Sequence, residues 1–495
     1  MQGFTYIDLI ILVVYLAAVL FAGLHFAKKE MKGKEYFKGD GTVPWWVTSV
    51  SIFATLLSPI SFLSLAGNSY AGTWIMWFAQ LGMLLAIPLT IKFFLPVYSK
   101  LDIDTAYHYL ELRFGSKGLR VLGAVMFIIY QIGRMSIIMY LPCMVLGSLT
   151  GISVNLLIII MGVIAIIYSY TGGLKSVLWT DFIQGSVLLI GVTFALVFLI
   201  AHIDGGMGAI FQAFSLEHKF LAVDQPIFNP NIFKDSVFIL IVGAGFNTMG
   251  SYVSSQDIVQ RFTTTTDTKK LNKMMLTNGA LSIFIATVFY LIGTGLFVFY
   301  KQNALPPAAA QDQIFASYIA FELPVGVTGL LLAAIYAAAQ STLSTGLNSV
   351  ASSWALDIQS NLSKEELGFE KETKIGQRVF SIVVAMVLAN GGVKSAYEWF
   401  NGFMGLVLGI LIGTFILGAF TKVANTFGAT AAFIAASAVM VYIKYFVPAG
   451  QVTIWSYSII SIAVSLVVGI PASIIWRNIK GDKSEPAPNT TIYKN

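Results

Sequence analysis

Three observations predict an all-α integral membrane protein. The chain is 57% hydrophobic and 11% charged, whereas soluble domains carry roughly 25% charged residues. Apolar stretches long enough to cross roughly 30 Å of hydrocarbon as a helix recur from end to end. None shows the alternating polarity of barrel strands, which run to about ten residues. Thirteen transmembrane helices are read, at about 5-27, 46-71, 75-98, 119-147, 153-170, 177-202, 235-262, 272-300, 326-354, 377-391, 402-421, 426-447 and 453-476.

The first span follows MQGFTYID, which carries an acid and no base, and precedes Lys28, Lys29, Lys32 and Lys34. That polarity predicts an uncleaved helix with the N-terminus outside, and an odd span count then places the C-terminus in the cytoplasm. All but seven of the 30 Lys and Arg residues lie in or beside the segments this topology makes cytoplasmic. Lys219, Lys234, Lys301 and Lys394 are external, and Lys92, Arg134 and Lys444 lie within spans. The net charge of +6 is thus a topological bias and no sign of nucleic-acid binding. A single cysteine, Cys143, excludes a disulfide framework and a thiolate metal site.

Between spans, DIDTAYHYLELRFGSK (102-117) suits a short amphipathic surface helix capped by Asp104 or Thr105. The 358-378 connection reads as a solvated cytoplasmic loop. Residues 204-233 and 302-324 read as external loops able to hold short helices, and 477-495 as a polar, disordered tail.

Two spans are interrupted. The second carries Leu57-Ser58-Pro59-Ile60-Ser61 at its centre, and the seventh has Gly243, Gly245 and Gly250 around Phe246-Asn247-Thr248. Proline removes an amide donor and glycines loosen a helix. A kinked packing helix accounts for either one alone. Backbone unwound at membrane depth, the other reading, survives only when buried or lining a cavity. The five-span separation suits two inverted repeats, each opening on a broken helix.

The stretch Ala333 to Thr345, AAIYAAAQSTLST, places Ser341, Thr342, Ser344 and Thr345 at i, i+1, i+3 and i+4, so three of the four hydroxyls share one helix face. Such a cluster serves either helix packing, with hydroxyls bonded back to their own helix, or a monovalent cation held by neutral oxygens. Asp181, near the start of the sixth span, is either a first-turn carboxylate favoured by the helix dipole or a cation ligand. Arg134 lies mid-span with no acid in its own span. A charge at that depth costs roughly 2.5–3.5 kcal/mol, so it faces a cavity or is satisfied by backbone carbonyls. In a cavity its planar fork suits a carboxylate, which makes the solute an anion.

Tyr168 to Gln184, YSYTGGLKSVLWTDFIQ, resembles the YTxxGGLxAVxxTDxxQ motif of the sodium/solute symporter family. Leu323 to Ser349 is similar to its LPxGxxGLxxAAxxAAxxSTxxSxxNS motif, and Val259-Gln260-Arg261 and Gly409 to Ala429 match two more. Ser169, Ser176 and Thr345 replace Thr, Ala and Ser of these motifs, and Lys422 stands where many relatives have arginine. Within the family the resemblance is to the bacterial sodium-coupled sialic acid symporters.

The resemblance implies a ten-helix inverted-repeat (5+5) core of the LeuT type with one extra helix before it and two after. The corresponding divisions are a first helix and loop at 1-45, repeats at 46-202 and 235-421 around an external loop at 203-234, two further helices at 422-476, and a tail at 477-495. It also implies Na+ as the co-transported ion, a first sodium site from the carbonyls of Ala54, Leu57 and Ala338 with the hydroxyls of Ser341 and Thr342, and a second from Asp181, Ser341, Thr342, Ser344 and Thr345. Ser58, Ser61, Gln80, Arg134, Phe246 and Asn247 would face the solute, with Phe246 as a gate. The expected function is sodium-driven import of a small anionic solute, sialic acid, across a bacterial inner membrane by alternating access. Another carboxylate or amino acid such as pantothenate or proline is the alternative.

Other classes fit less well. No GxxxxGK[ST] or HExxH motif occurs, and His25, His108, His202 and His218 lie near span ends or in loops, without a legible catalytic partner. A non-transporting sensor is expected to carry an appended signalling domain, for which 477-495 is too short. Paired broken helices suit an occluded site better than an open channel.

Overall fold

The computed structural model describes residues 5–26, 37–38, 41–101, 103–171, 173–303, 311–362, 396–481 and 485–493. The helices are α1 Tyr6–Phe26, α2 Trp45–Leu56, α3 Pro59–Ala71 and α4 Trp74–Lys100, the last including a 3-10 segment and a π turn. There follow α5 His108–Phe114, α6 Lys117–Thr150, α7 Val154–Thr171, α8 Gly173–Ala201 and α9 Gly206–Leu216. Next come α10 Val237–Ser254, α11 Gln256–Phe262, α12 Thr268–Gln302, α13 Ile314–Phe321 and α14 Val327–Ser353. The last are α15 Ala396–Phe420, α16 Thr426–Phe446 and α17 Tyr457–Lys480.

Among the described residues 10 helices are long and apolar enough to cross a membrane, or 11 when α2 and α3 count as one bent span. This falls short of the thirteen read from the sequence. The 377-391 span lies outside the described residues, and the apolar part of α7, Val154–Ala165, ranks as a shorter helix.

The first break lies where the proline predicts it. Leu57 (φ −87, ψ 116) and Ser58 (φ −119, ψ 169) are extended, and Pro59 opens α3 at a position where its missing amide costs no hydrogen bond. The two halves are bent by 60°. The second break falls elsewhere than the glycines suggested: it is at Ser255 (φ −94, ψ 117), between α10 and α11. Gly243, Gly245 and Gly250 are helical. At Gly243 a Cβ would run into the backbone of Trp455, and at Gly245 it would lie 3.1 Å from the Gly82 carbonyl. Gly243 and Gly245 therefore permit close approach of neighbouring segments, and none of the three unwinds α10.

At the centre stands α14, every residue of which from Leu331 to Ser353 is buried. It is packed on by α1, α2, α6, α7 and α8. Its N-terminal end is held by the acid that precedes the first apolar run. Asp8 Oδ1 accepts from the amides of Gly326 and Gly329, both at 2.8 Å, so a carboxylate sits on the unpaired donors of a helix start.

At the opposite end of α14, the predicted surface helix is instead packed into the protein. Thr105 Oγ1 accepts from the His108 amide at 3.2 Å, much as a cap would, but Tyr109, Leu110, Arg113 and Phe114 of α5 are buried. Arg113 donates to the carbonyls of Gly418, Thr421 and Ala424 at 2.7, 2.6 and 3.1 Å. The described residues of the tail, 477–481 and 485–493, pack onto the protein, contrary to its polar composition. α17 continues to Lys480, Tyr109 Oη donates to the Thr490 carbonyl at 2.9 Å, and the Ile492 amide donates to the Ala419 carbonyl at 3.0 Å. Composition does not register such backbone pairing.

Asp8→Ala removes the carboxylate from two amides of α14. It is expected to cost about 0.5–2 kcal/mol, read as a lowered thermal unfolding midpoint in detergent, with Asp8→Asn retaining part of the loss.

Candidate functional site

The chain leaves the helix at Leu57, so carbonyls in the last turn of α2 lack helical partners. They face the hydroxyls of α14. Ser341 Oγ lies 3.1 Å from the Ala54 carbonyl and 3.2 Å from that of Ala338. Thr342 Oγ1 lies 3.0, 3.3 and 3.5 Å from the carbonyls of Ala338, Thr55 and Leu57. The five oxygens named from the sequence thus converge in one buried place. Three carbonyls and two hydroxyls, with no formal charge, suit a monovalent cation: they replace its hydration without the carboxylates that hard divalent ions recruit.

One turn further along α14 the chemistry changes. α8 begins at Gly173, so Asp181 stands two turns inside the helix, fully buried. This removes the first-turn reading, since the dipole effect fades within one turn. Asp181 Oδ2 accepts from Ser51 Oγ at 2.7 Å, Arg261 Nη2 at 2.7 Å and Thr345 Oγ1 at 3.1 Å, and Oδ1 accepts from Ser344 Oγ at 3.3 Å. Asp181, Ser344 and Thr345 therefore meet, whereas the hydroxyls of Ser341 and Thr342 bond toward the α2 carbonyls. Arg261, whose neighbour here the sequence reading did not foresee, also donates Nη2 to Thr345 Oγ1 at 2.6 Å and Nε to Ser51 Oγ at 2.9 Å. Its place in the recurring Val-Gln-Arg motif was the available signal.

Arg134 has an acidic partner after all, supplied by another helix. Nη1 donates to Asp257 Oδ2 of α11 at 2.5 Å and Nη2 to the Thr55 carbonyl at 2.5 Å. Its Nε has no hydrogen-bond partner. Arg134 lies on the wall of a cavity of about 760 Å³, part of it open to solvent, beside the α2–α3 break. Ser61, Gln80 and Asn247 share that wall, together with Tyr130, Thr248 and Ser251, which the sequence reading missed although two of them neighbour Asn247 on α10. Asn247 Oδ1 accepts from Ser458 Oγ, and Asn247 Nδ2 has no partner. Ser58 and Phe246 are not on the wall: Ser58 is buried at the break and Phe246 packs against the core.

A buried scaffold with two interrupted helices, a cluster of neutral oxygens and a polar cavity bearing a guanidinium defines a multi-span helical protein that handles small solutes within the membrane. The model of the sodium:solute symporter family matches residues 36–436, and the chain belongs to that family. It is 33% identical to the sodium/sialic acid symporter SiaT of Proteus mirabilis, over 99% of this chain and 100% of that protein. It is 30% identical to the sodium/sialic acid symporter NanT of Aliivibrio fischeri, over 97% of this chain and 96% of the relative. A solved structure, described as the substrate-bound outward-open state of a Na+-coupled sialic acid symporter with a novel Na+ site, matches with a TM-score of 0.85 at 33% identity, covering 95% of this chain and 98% of that one. Mhp1, a nucleobase-cation-symport-1 family transporter, shares the fold alone, with a TM-score of 0.59 at 15% identity over 88% of this chain and 93% of that one.

The protein is therefore a multi-pass membrane protein with LeuT-fold neighbours and a sodium-coupled solute symporter, not an enzyme. Sodium is its co-transported substrate and not a resident cofactor.

Arg261→Gln leaves the Asp181 carboxylate buried without a counter-charge, which is expected to cost about 3–5 kcal/mol. Adding Asp181→Asn should recover most of that loss, as measured by chemical or thermal unfolding in detergent.

Proposed function

We propose that the protein imports sialic acid, a carboxylated sugar, together with two sodium ions by alternating access. The observation that carries this reading is Arg134: among the described residues it brings the one charged side chain to a cavity wall otherwise lined by apolar residues and neutral hydrogen-bonding groups such as Ser61, Gln80, Asn247 and Thr248. A guanidinium supplies the carboxylate contact and the amides and hydroxyls suit a polyhydroxylated body. The sialic acid symporters among the relatives support the choice of solute.

In this reading the first sodium binds Ala54, Leu57, Ala338, Ser341 and Thr342. The second binds at Asp181, Ser344 and Thr345, with Ser341 and Thr342 one turn away. Residues 46-202 and 235-421 act as the two inverted repeats, in a bacterial inner membrane with the N-terminus outside. Phe246, next to the cavity residue Asn247, closes over the solute, and Ser58 contributes from the break. Sodium holding α2 against α14 favours the arrangement open to the outside, and the solute permits closure.

In proteoliposomes, uptake of labelled sialic acid is expected to require an inward sodium gradient. It should accelerate with a negative interior, because two cations per anion carry net positive charge worth roughly 2.3 kcal/mol per 100 mV. Uptake indifferent to potential would reduce the stoichiometry to one sodium, and no uptake would exclude this solute. Ser341→Ala removes one ion contact worth about 1.5–3 kcal/mol, so the sodium concentration for half-maximal uptake should rise roughly ten- to 150-fold.

A further inference from the structure

Four charged side chains run in a buried line from the solute cavity to Asp181. Arg134, on the cavity wall, holds Asp257 at 2.5 Å, and Arg261 holds Asp181 at 2.7 Å; the four side chains are at most 3% exposed. Asp257 stands between the pairs. Arg261 lies four residues along the same helix, one turn away, and its Nη1 donates to the Asp257 backbone carbonyl. The Asp257 carboxylate is turned toward Arg134, from which Oδ2 accepts, while Oδ1 accepts from Ser255 Oγ at 2.5 Å, at the break between α10 and α11. One carboxylate is thus within a turn of both guanidiniums and engages one of them.

The line holds two positive and two negative charges. In a weakly polar interior an added anion or an added cation alone leaves an uncompensated charge, whereas one of each does not. We propose that Asp257 couples the solute to the cation at Asp181. An anion bound by Arg134 displaces the Asp257 carboxylate, which turns to Arg261 one turn along. Arg261 then releases Asp181, which takes a sodium ion. The proposal rests on reading Asp181 as a cation ligand. Asp257 touches neither solute nor sodium and is a positioning residue. Because the linkage is reciprocal, each ligand strengthens the other by the same factor, about 5- to 150-fold for typical couplings.

Removing the charge of Arg134 does to Asp257 what the anion does, so the relay can be read with no solute present. Sodium is titrated into the purified full-length protein in detergent, followed by calorimetry. Arg134→Ala is expected to bind sodium about 5- to 150-fold more tightly than the parent chain, and Arg134→Lys, which keeps a positive charge beside Asp257, to gain less. The gain should vanish when Asp257→Asn or Asp181→Asn is added. An Arg134→Ala protein that binds sodium no more tightly, or a gain that survives Asp257→Asn, overturns the relay.

Should Arg134→Ala fail to fold, N-acetylneuraminate added to the parent chain and to Asp257→Glu is expected to tighten sodium binding, with no tightening in Asp257→Asn. With N-acetylneuraminate binding to the parent chain measured separately, equal tightening in all three, or none in a parent chain that binds the solute, overturns the relay. Sodium binding unaffected by Asp181→Asn in the parent chain removes the cation-site reading, and the relay with it. A failure of sialic acid uptake alone removes only the proposed solute, since the solute-free titrations still decide the role of Asp257.

Discussion

The architecture depends on two residues of extended backbone, Leu57 and Ser58, held at membrane depth. An ordinary helix consumes its own carbonyls; here the turn before the break offers those of Ala54, Thr55 and Leu57 to other groups. The Thr55 carbonyl accepts from both Thr342 Oγ1 and Arg134 Nη2, so the cluster of neutral oxygens and the polar cavity bear on the same peptide. Unwound backbone is tolerable in hydrocarbon only where other protein groups satisfy it. The hydroxyl face of α14 and the guanidinium of Arg134 meet that requirement and contribute the chemistry as well.

The buried charges follow the same logic. Each guanidinium in the centre faces a carboxylate from a different helix: Arg134 of α6 with Asp257 of α11, and Arg261 of α11 with Asp181 of α8. Pairs of this kind add little stability over a well-packed apolar core, because desolvation offsets much of the attraction. Their use lies elsewhere. A neutral set of paired charges offers an incoming ion opposite charges to exchange with, which an apolar core cannot do, and α11, which follows the extended residue Ser255, carries one member of each pair.

Rigid packing surrounds this responsive centre. Asp8 fixes one end of α14 through two backbone amides. Near the other end, Arg113 and the tail segment around Thr490 and Ile492 tie α5 to α15 through backbone carbonyls. The close approach of α10 to α4 at Gly82 and Gly245 leaves no room for a side chain. The broken segments are the points where backbone direction changes within this packing.

Much of this was legible in the chain alone. Apolar runs, a proline at mid-span and four clustered hydroxyls are local patterns, and each reports a local requirement: length to cross hydrocarbon, a helix without one amide, neutral oxygens facing inward. The family's motifs pointed to the family, and the five oxygens expected to hold a first sodium ion lie close together in the structure. What only the tertiary structure decided is which distant groups meet. The partner of Arg134 lies 123 residues away and that of Asp181 lies 80 away, and nothing in the spacing of either helix announces them. For the same reason the glycines of α10 were misread as a break. A glycine that unwinds a helix and one that admits a neighbouring backbone look alike in sequence, and the difference lies in what packs against them.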